Sequence, residues 1–229
     1  MISTDDHKLD NPVWHSLNET HKEYAIDYEG FKFYNPAYCP FGGFIDLSHS
    51  TKNIDAYAAL IEKFFVVGAR PLFSSKISLH NDLVCNQMVL QRPIKLATKE
   101  PIVELVSEKH QADLSELVNL VQPGYFKNKT SELGNYFGIY KANQLIAVTG
   151  QRMKMNNFTE VSAVVTHPDH LRKGYAKQLI QHVTNQIFRE ESISYLHVAS
   201  SNIGAIKLYE KLGFVTRRKI SFWNLKTSV

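Results

Sequence analysis

Residues 164–179, VVTHPDHLRKGYAKQL, constrain the fold more than any other stretch of the chain. The β-branched run favours an extended strand, Pro168 ends it, and Gly174 opens a helix. That helix, reaching about residue 189, has an apolar face of Ala176, Leu179, Ile180, Val183 and Ile187. A strand that turns through so short a loop into an amphipathic helix must lay the helix back on a sheet. The loop carries Arg172 and Lys173 beside a helix start, where the first N–H groups lack partners and the macrodipole is positive. Two readings follow: a seat for a negatively charged group, or an ordinary strand-to-helix turn.

From residue 102 onward the pattern is regular. IVELVS (102–107) predicts a strand, and HQADLSELVNLV (110–121) a helix with Leu114, Leu117, Val118 and Val121 apolar, closed by Pro123 and Gly124. A short helix is expected near residues 129–133. Residues 136–168 predict three strands joined at 142–144 and 156–157, connections too short for anything but antiparallel pairing. SYLHVAS is a strand, NIGAIKLYEKLG a helix capped by Asn202 and ended by Gly213, and FVTRRKISFWNL a last long strand. This order predicts an α/β (α+β) fold with a mixed, mostly antiparallel twisted sheet flanked by helices.

The first part of the chain carries no motif. NPVWHSLNETHKEYAI (11–26) predicts a helix, NPAYCPFGGFI a loop leading into a strand, and IDAYAALIEKFF (54–65) a second helix with Ile54, Tyr57, Ala58, Ile61 and Phe65 on one face. GARPLFSSK reads as a break and a short strand. The prolines and charges of RPIKLATKEP place a boundary at residue 98, giving an additional N-terminal α/β subdomain (1–98) and a second domain (99–229).

With 229 residues, 44% hydrophobic and 21% charged, the composition is that of a globular protein with a sizeable core. Cys39 and Cys85 form no CxxC pattern and read as buried thiols in a reducing compartment. The start of the chain has no apolar stretch behind a basic one, and no apolar run approaches the ~18 residues of a membrane span. A cytoplasmic protein without membrane contact is expected. The net charge of +4 favours an anionic ligand without calling for nucleic acid.

Glu160 stands on a central strand, where alternation gives it a face with Ser162 and Val164. A carboxylate there is costly to bury unless it is paired or used. His197, between Leu196 and Val198, reads as a hydrogen-bonded core histidine. His167 and His170 lack a second ligand pair, so no metal is expected.

Three features, TEVSAVVTHPDHLRKGYAKQL, LHVASSNIGAIKLYEKLGF and the strand order around them, make residues 102–226 resemble the GNAT superfamily of acetyl-CoA-dependent N-acetyltransferases. The resemblance implies a GNAT-like fold and acetyl-CoA or CoA as cofactor. The family loop holds a diphosphate with the pattern Arg or Gln, two residues, Gly, one residue, Gly or Ala. Here Gly174 and Ala176 match, Leu171 stands at the Arg/Gln position and Arg172 replaces a frequent Gly. Backbone N–H groups, which leucine still has, carry that contact. Cofactor binding is thereby expected at Val164, Val165, Thr166, Leu171, Arg172, Lys173, Gly174, Tyr175, Ala176, Lys177, Asn202, Ala205 and Tyr209, with an amide near Val165 facing the thioester oxygen. The resemblance also gives Glu160 as general base, directly or through water, and Tyr209 as general acid toward sulfur. Tyr125, Phe126 and Ser162 would border the acceptor.

The implied reaction is acetyl transfer to a primary amine, of a small molecule or amino acid rather than a protein, by direct attack. Alternatives are a longer acyl-CoA with an amino acid such as glycine, and a CoA-binding sensor without turnover. The N-terminal part looks like a degenerate GNAT-like half, and monomer and homodimer both remain open.

Overall fold

The structure is a computed structural model that describes residues 5–95 and 99–228. In chain order its strands are β1 (Ala25–Tyr28), β2 (Phe31–Tyr34), β3 (Phe41–Phe44), β4 (Lys63–Val67), β5 (Ile77–Leu90), β6 (Val103–Glu104), β7 (Tyr136–Lys141), β8 (Gln144–Met155), β9 (Phe158–Thr166), β10 (Ile193–Ala199) and β11 (Val215–Thr227). The helices are α1 (Pro12–Asn18), α2 (Ser50–Ala58), α3 (Glu108–Val121), α4 (Tyr175–Arg189) and α5 (Ile203–Lys211). All eleven strands join one sheet in the order β1-β2-β3-β4-β11-β5-β10-β9-β8-β7-β6. The mixed, mostly antiparallel sheet with helices on both faces is the architecture expected.

The β7-to-β11 region follows the sequence pattern closely. The β7–β8 and β8–β9 turns are made by Ala142, Asn143 and Asn157 at positive φ. α3 begins at Ser107, whose hydroxyl accepts from the His110 amide at 3.2 Å. α5 begins at Asn202, which accepts from Ala205 N at 3.1 Å. The apolar stripe of α4, Leu179, Ile180, Val183 and Ile187, is fully buried on the sheet together with Ile206 and Tyr209 of α5. Burial of each such aliphatic side chain contributes about 1.5–3 kcal/mol. α1 covers the other face through Val13 and Leu17, with Leu9 of the turn before it, and α3 through Leu114, Leu117 and Val118.

Three expectations for the first part change. The helix expected over 11–26 ends at Asn18, because His21 turns inward to Ser16 Oγ (3.3 Å) and Tyr34 Oη (2.9 Å) and the chain proceeds into β1. The second helix stops at Ala58; Phe64 and Phe65 belong to β4, whose aromatic and β-branched residues pack on two faces of the sheet. The short strand expected within residues 68–76 does not form there; the next strand is the 14-residue β5, which begins at Ile77.

β5 lies between β10 and β11. It pairs antiparallel with residues 194–199 on one edge and with most of residues 215–227 on the other. The boundary expected at residue 98 falls on residues 96–98, outside the described residues, but the sheet itself runs unbroken from the first part of the chain into the second. Cys39 and Cys85 are free and buried, and burial pushes both thiols up to about 12. No helix among the described residues is long and apolar enough to cross a membrane.

Candidate active site

β9 and β10 run parallel, yet they pair only through Ile193 with Phe158, Ser194 with Thr159 and Tyr195 with Glu160. Beyond Glu160 they part. The outer edge of each strand stays occupied, β10 by β5 to Ala199 and β9 by β8 to Thr166. The edges that face one another across the gap therefore present unpaired amides and carbonyls. The cause lies in β9: four residues, Ser162 to Val165, span what three, Gly150 to Val148, span on β8, and Ala163 sits at φ +49°. Such a bulge bends its strand and leaves a strained residue at the bend.

The bulge also resets the faces. Val164 packs with the α4 core, opposite Glu160, and does not share its face as strict alternation implied; Val165 is buried toward α3. Val165 pairs with Val148, and the next alternate residue, His167, donates its amide to Ile146 O at 2.8 Å. By that alternation the Val165 amide is spent on β8, so Val164 and Thr166 are the residues whose amides turn toward the gap. Both flank Val165, near which the thioester-facing amide was expected.

At the mouth of the gap the chain makes a short turn, Pro168–His170, and then exposes Leu171, Arg172, Lys173 and Gly174. Arg172 and Gly174 have φ of +61° and +84°. A Cβ on Gly174 would meet nothing within 4 Å, so the glycine answers to its backbone conformation and not to crowding. No side chain caps α4, and Gln178 is the first residue to donate back, to Gly174 O at 3.1 Å. The amides of half-buried Tyr175 and Ala176 and of exposed Lys177 are thus open, with two cations beside them. An uncapped helix start, alternating left-handed residues and an open backbone fit a diphosphate such as that of CoA.

Glu160, at the apex of the gap, is buried. Arg152 Nε and Nη2 donate to its two oxygens at 2.8 and 2.9 Å, and His197 Nδ1 lies 2.8 Å from Oε1. Burial alone would raise its pKa, but the Arg152 charge and these hydrogen bonds outweigh it and hold the carboxyl at about 2. Arg152 reaches it because β8 has its own register shift between Gln151 and Lys154. Its guanidinium also lies over the Phe41 ring at 4.6 Å.

His197 is the buried, hydrogen-bonded histidine expected, and its tautomer can be assigned from its neighbours. Gln87 of β5 donates Nε2 to Leu9 O at 2.7 Å and accepts at Oε1 from Arg217 Nη1 at 3.1 Å, which fixes the amide's orientation. The same Nε2 lies 3.1 Å from His197 Nε2, which must accept; the ring proton is then on Nδ1 and points at Glu160. Both Glu160 oxygens and both imidazole nitrogens are occupied. Neither Arg152 nor Gln87 was marked by sequence reasoning, since each reaches the site through strand register.

Tyr209 is buried on the α5 side of the sheet, opposite Glu160, with its ring edge-on to Phe214 at 5.8 Å. Burial raises its hydroxyl to about 12, and that hydroxyl has no hydrogen-bond partner among the described residues. Asn202 and Ala205 are joined by the α5 cap. Half-buried Tyr125 stacks on Phe65 of β4 at 5.4 Å, bringing the first part of the chain against the Glu160 face. Phe126 points the other way, into the α3 core beside Tyr136. Ser162 is half-buried at the bulge and pairs with Gly150. The His167 and His170 rings meet edge to face at 5.8 Å.

The family model described as FR47-like protein matches residues 136–223. A crystal structure of a GNAT-family protein from Novosphingobium aromaticivorans aligns with a TM-score of 0.88 at 28% identity, covering 98% of this chain and 100% of that one. A GCN5-related N-acetyltransferase from Kribbella flavida aligns with a TM-score of 0.66 at 11% identity, covering 100% and 97%. A GCN5-related N-acetyltransferase-like protein from Streptococcus suis gives 0.65 at 11%, covering 98% and 97%. No curated protein sequence matches the chain. The split between β9 and β10, the open start of α4 and these likenesses together give the chain the fold of the GNAT acetyltransferases.

Proposed function

We propose that this protein moves an acetyl group from acetyl-CoA to the primary amine of a small molecule or amino acid. The observation that carries the reading is the gap: two parallel strands that pair up to Glu160 and then separate, with an uncapped helix start at their open end. The GNAT fold supports acyl transfer from a CoA-linked donor in general; the choice of acetyl and amine is the proposal's own.

Acetyl-CoA supplies the acyl group as an activated thioester. Amides at 175–177, with Arg172 and Lys173, would hold the diphosphate, and the unpaired edges of β9 and β10 would line the pantetheine arm. The amides of Val164 and Thr166 would stabilise negative charge developing on the thioester oxygen. A carboxylate held near pKa 2 is a weak proton acceptor. Glu160, its charge paired with Arg152, therefore serves to hold Arg152 and His197 at the apex of the gap, and the proton of the attacking amine leaves through water. Tyr209, protonated through the working range, donates to the departing sulfur. The first part of the chain closes the acceptor side, with Phe65 against Tyr125 and Phe41 under Arg152.

The test is CoA thiol release by the purified chain across a panel of amines and amino acids, with Gly174→Val as control. Amine-dependent release is expected, and Gly174→Val should weaken CoA binding at least tenfold, since φ of +84° disfavours a β-branched residue. The doubly clamped Glu160 also favours a second reading, a CoA binder without turnover. CoA binding with no thiol release from any amine selects it, and absence of CoA binding overturns both.

A further inference from the structure

At the end of the sheet opposite the gap, where β9 and β10 begin, lies a cavity of about 630 Å³. Its volume is in the range of sites that take small organic ligands. Leu9, Val89, Phe158 and Ile193 give it apolar walls, while Arg92, Arg217 and Asp6 supply its charged groups. Two cations against one anion leave the lining net positive. Arg92 is exposed and has no ion pair or hydrogen bond among the described residues, so its planar donor set is unspent. Arg217 has its Nη1 on Asp10 at 2.7 Å and on Gln87 Oε1 at 3.1 Å, and its Nη2 on Asp6 O at 3.1 Å.

An apolar chamber with a guanidinium at its wall suits a ligand with an apolar body and one carboxylate, because arginine meets a carboxylate through paired hydrogen bonds. We propose that this cavity binds a medium-chain monocarboxylate. The site is separate from the strand gap but connected to it. Arg217 holds Gln87, Gln87 meets His197, and His197 meets Glu160, at 3.1, 3.1 and 2.8 Å. A carboxylate that draws on Arg217 therefore changes the hydrogen bonding of His197 through one intervening side chain.

The test uses octanoate on the full chain, read by calorimetry and by the imidazole nitrogen resonances of His197; neither depends on turnover, so the outcome is separate from that of the thiol-release assay. Octanoate is expected to bind saturably with and without saturating CoA, to move the His197 resonances, and to outbind octylamine. Arg92→Ala should weaken it about tenfold, as loss of a charge-assisted hydrogen bond does. Val215→Trp, at an exposed position lining the cavity, should abolish binding without unfolding the chain. The proposal is overturned if octanoate does not bind, if CoA displaces it, if octylamine binds as well, if both variants bind it as the wild type does, or if His197 does not respond.

Discussion

Arg152 grips Glu160 through two hydrogen bonds, Nε to one carboxylate oxygen at 2.8 Å and Nη2 to the other at 2.9 Å, at the point where β9 and β10 separate. A buried pair of this kind is costly to halve. Glu160→Gln leaves Arg152 with no counter-charge, and a loss of about 3–5 kcal/mol is expected in urea unfolding at neutral pH. The pH dependence has a definite sign. The folded carboxyl is held at about 2 against an ordinary 4.5, so the unfolded chain binds more protons between those values. The stabilisation is complete above pH 4.5 and is lost as pH falls toward 2, to the extent of about 3 kcal/mol. Acid unfolding of Glu160→Gln should lack that slope.

His21 acts in a higher window. Burial, and next the charge of Lys154, lower its pKa from 6.5 to about 4. Its stabilising contribution is present above pH 6.5 and disappears as pH falls through 4, again about 3 kcal/mol. Parallel titrations of wild type and His21→Gln should differ in slope between pH 6.5 and 4 and nowhere above it.

Tyr209→Phe separates chemistry from folding. Since the hydroxyl has no internal partner among the described residues, the unfolding free energy should stay within about 1 kcal/mol of the wild type. CoA affinity should also hold. kcat should fall about 10²-fold if the hydroxyl protonates sulfur, and an unchanged kcat assigns Tyr209 to packing.

A chain beginning at residue 99 loses β4 and β5 together. β11 is then left without either neighbour, and β10 without its antiparallel partner. Such a fragment is expected to show no cooperative thermal transition by circular dichroism. A folded fragment that binds CoA would make residues 1–98 an independent appendage.

The elements from β7 to α5 were legible because their signals are local: turn residues at 142–143 and 157, a stripe on α4, a cap at Asn202. β5 was not. Its partners lie more than a hundred residues later, and His80, Asn81, Asp82 and Asn86 interrupt its apolar pattern. α1 was overextended for a similar reason, since His21 faces inward to a side-chain network that no helical period encodes. The positions of Gly174 at the start of α4, Asn202 at the cap of α5 and Tyr209 on its buried face follow from motif and spacing. The clamp on Glu160 could not, because it depends on shifts of strand register that bring Arg152 opposite it.

The position of β5 has a consequence for synthesis. As the chain leaves the ribosome at ~5–20 residues per second, β5 emerges several seconds before either strand that will flank it. Both of its hydrogen-bonding edges are bare during that wait, a condition in which an apolar strand recruits neighbouring chains. The polar cluster at residues 80–82, with Asn86 and Gln87, keeps this segment dispersed until β10 and β11 arrive on either side. The irregular pattern that conceals the strand from a reader of the sequence also protects the nascent protein from aggregation.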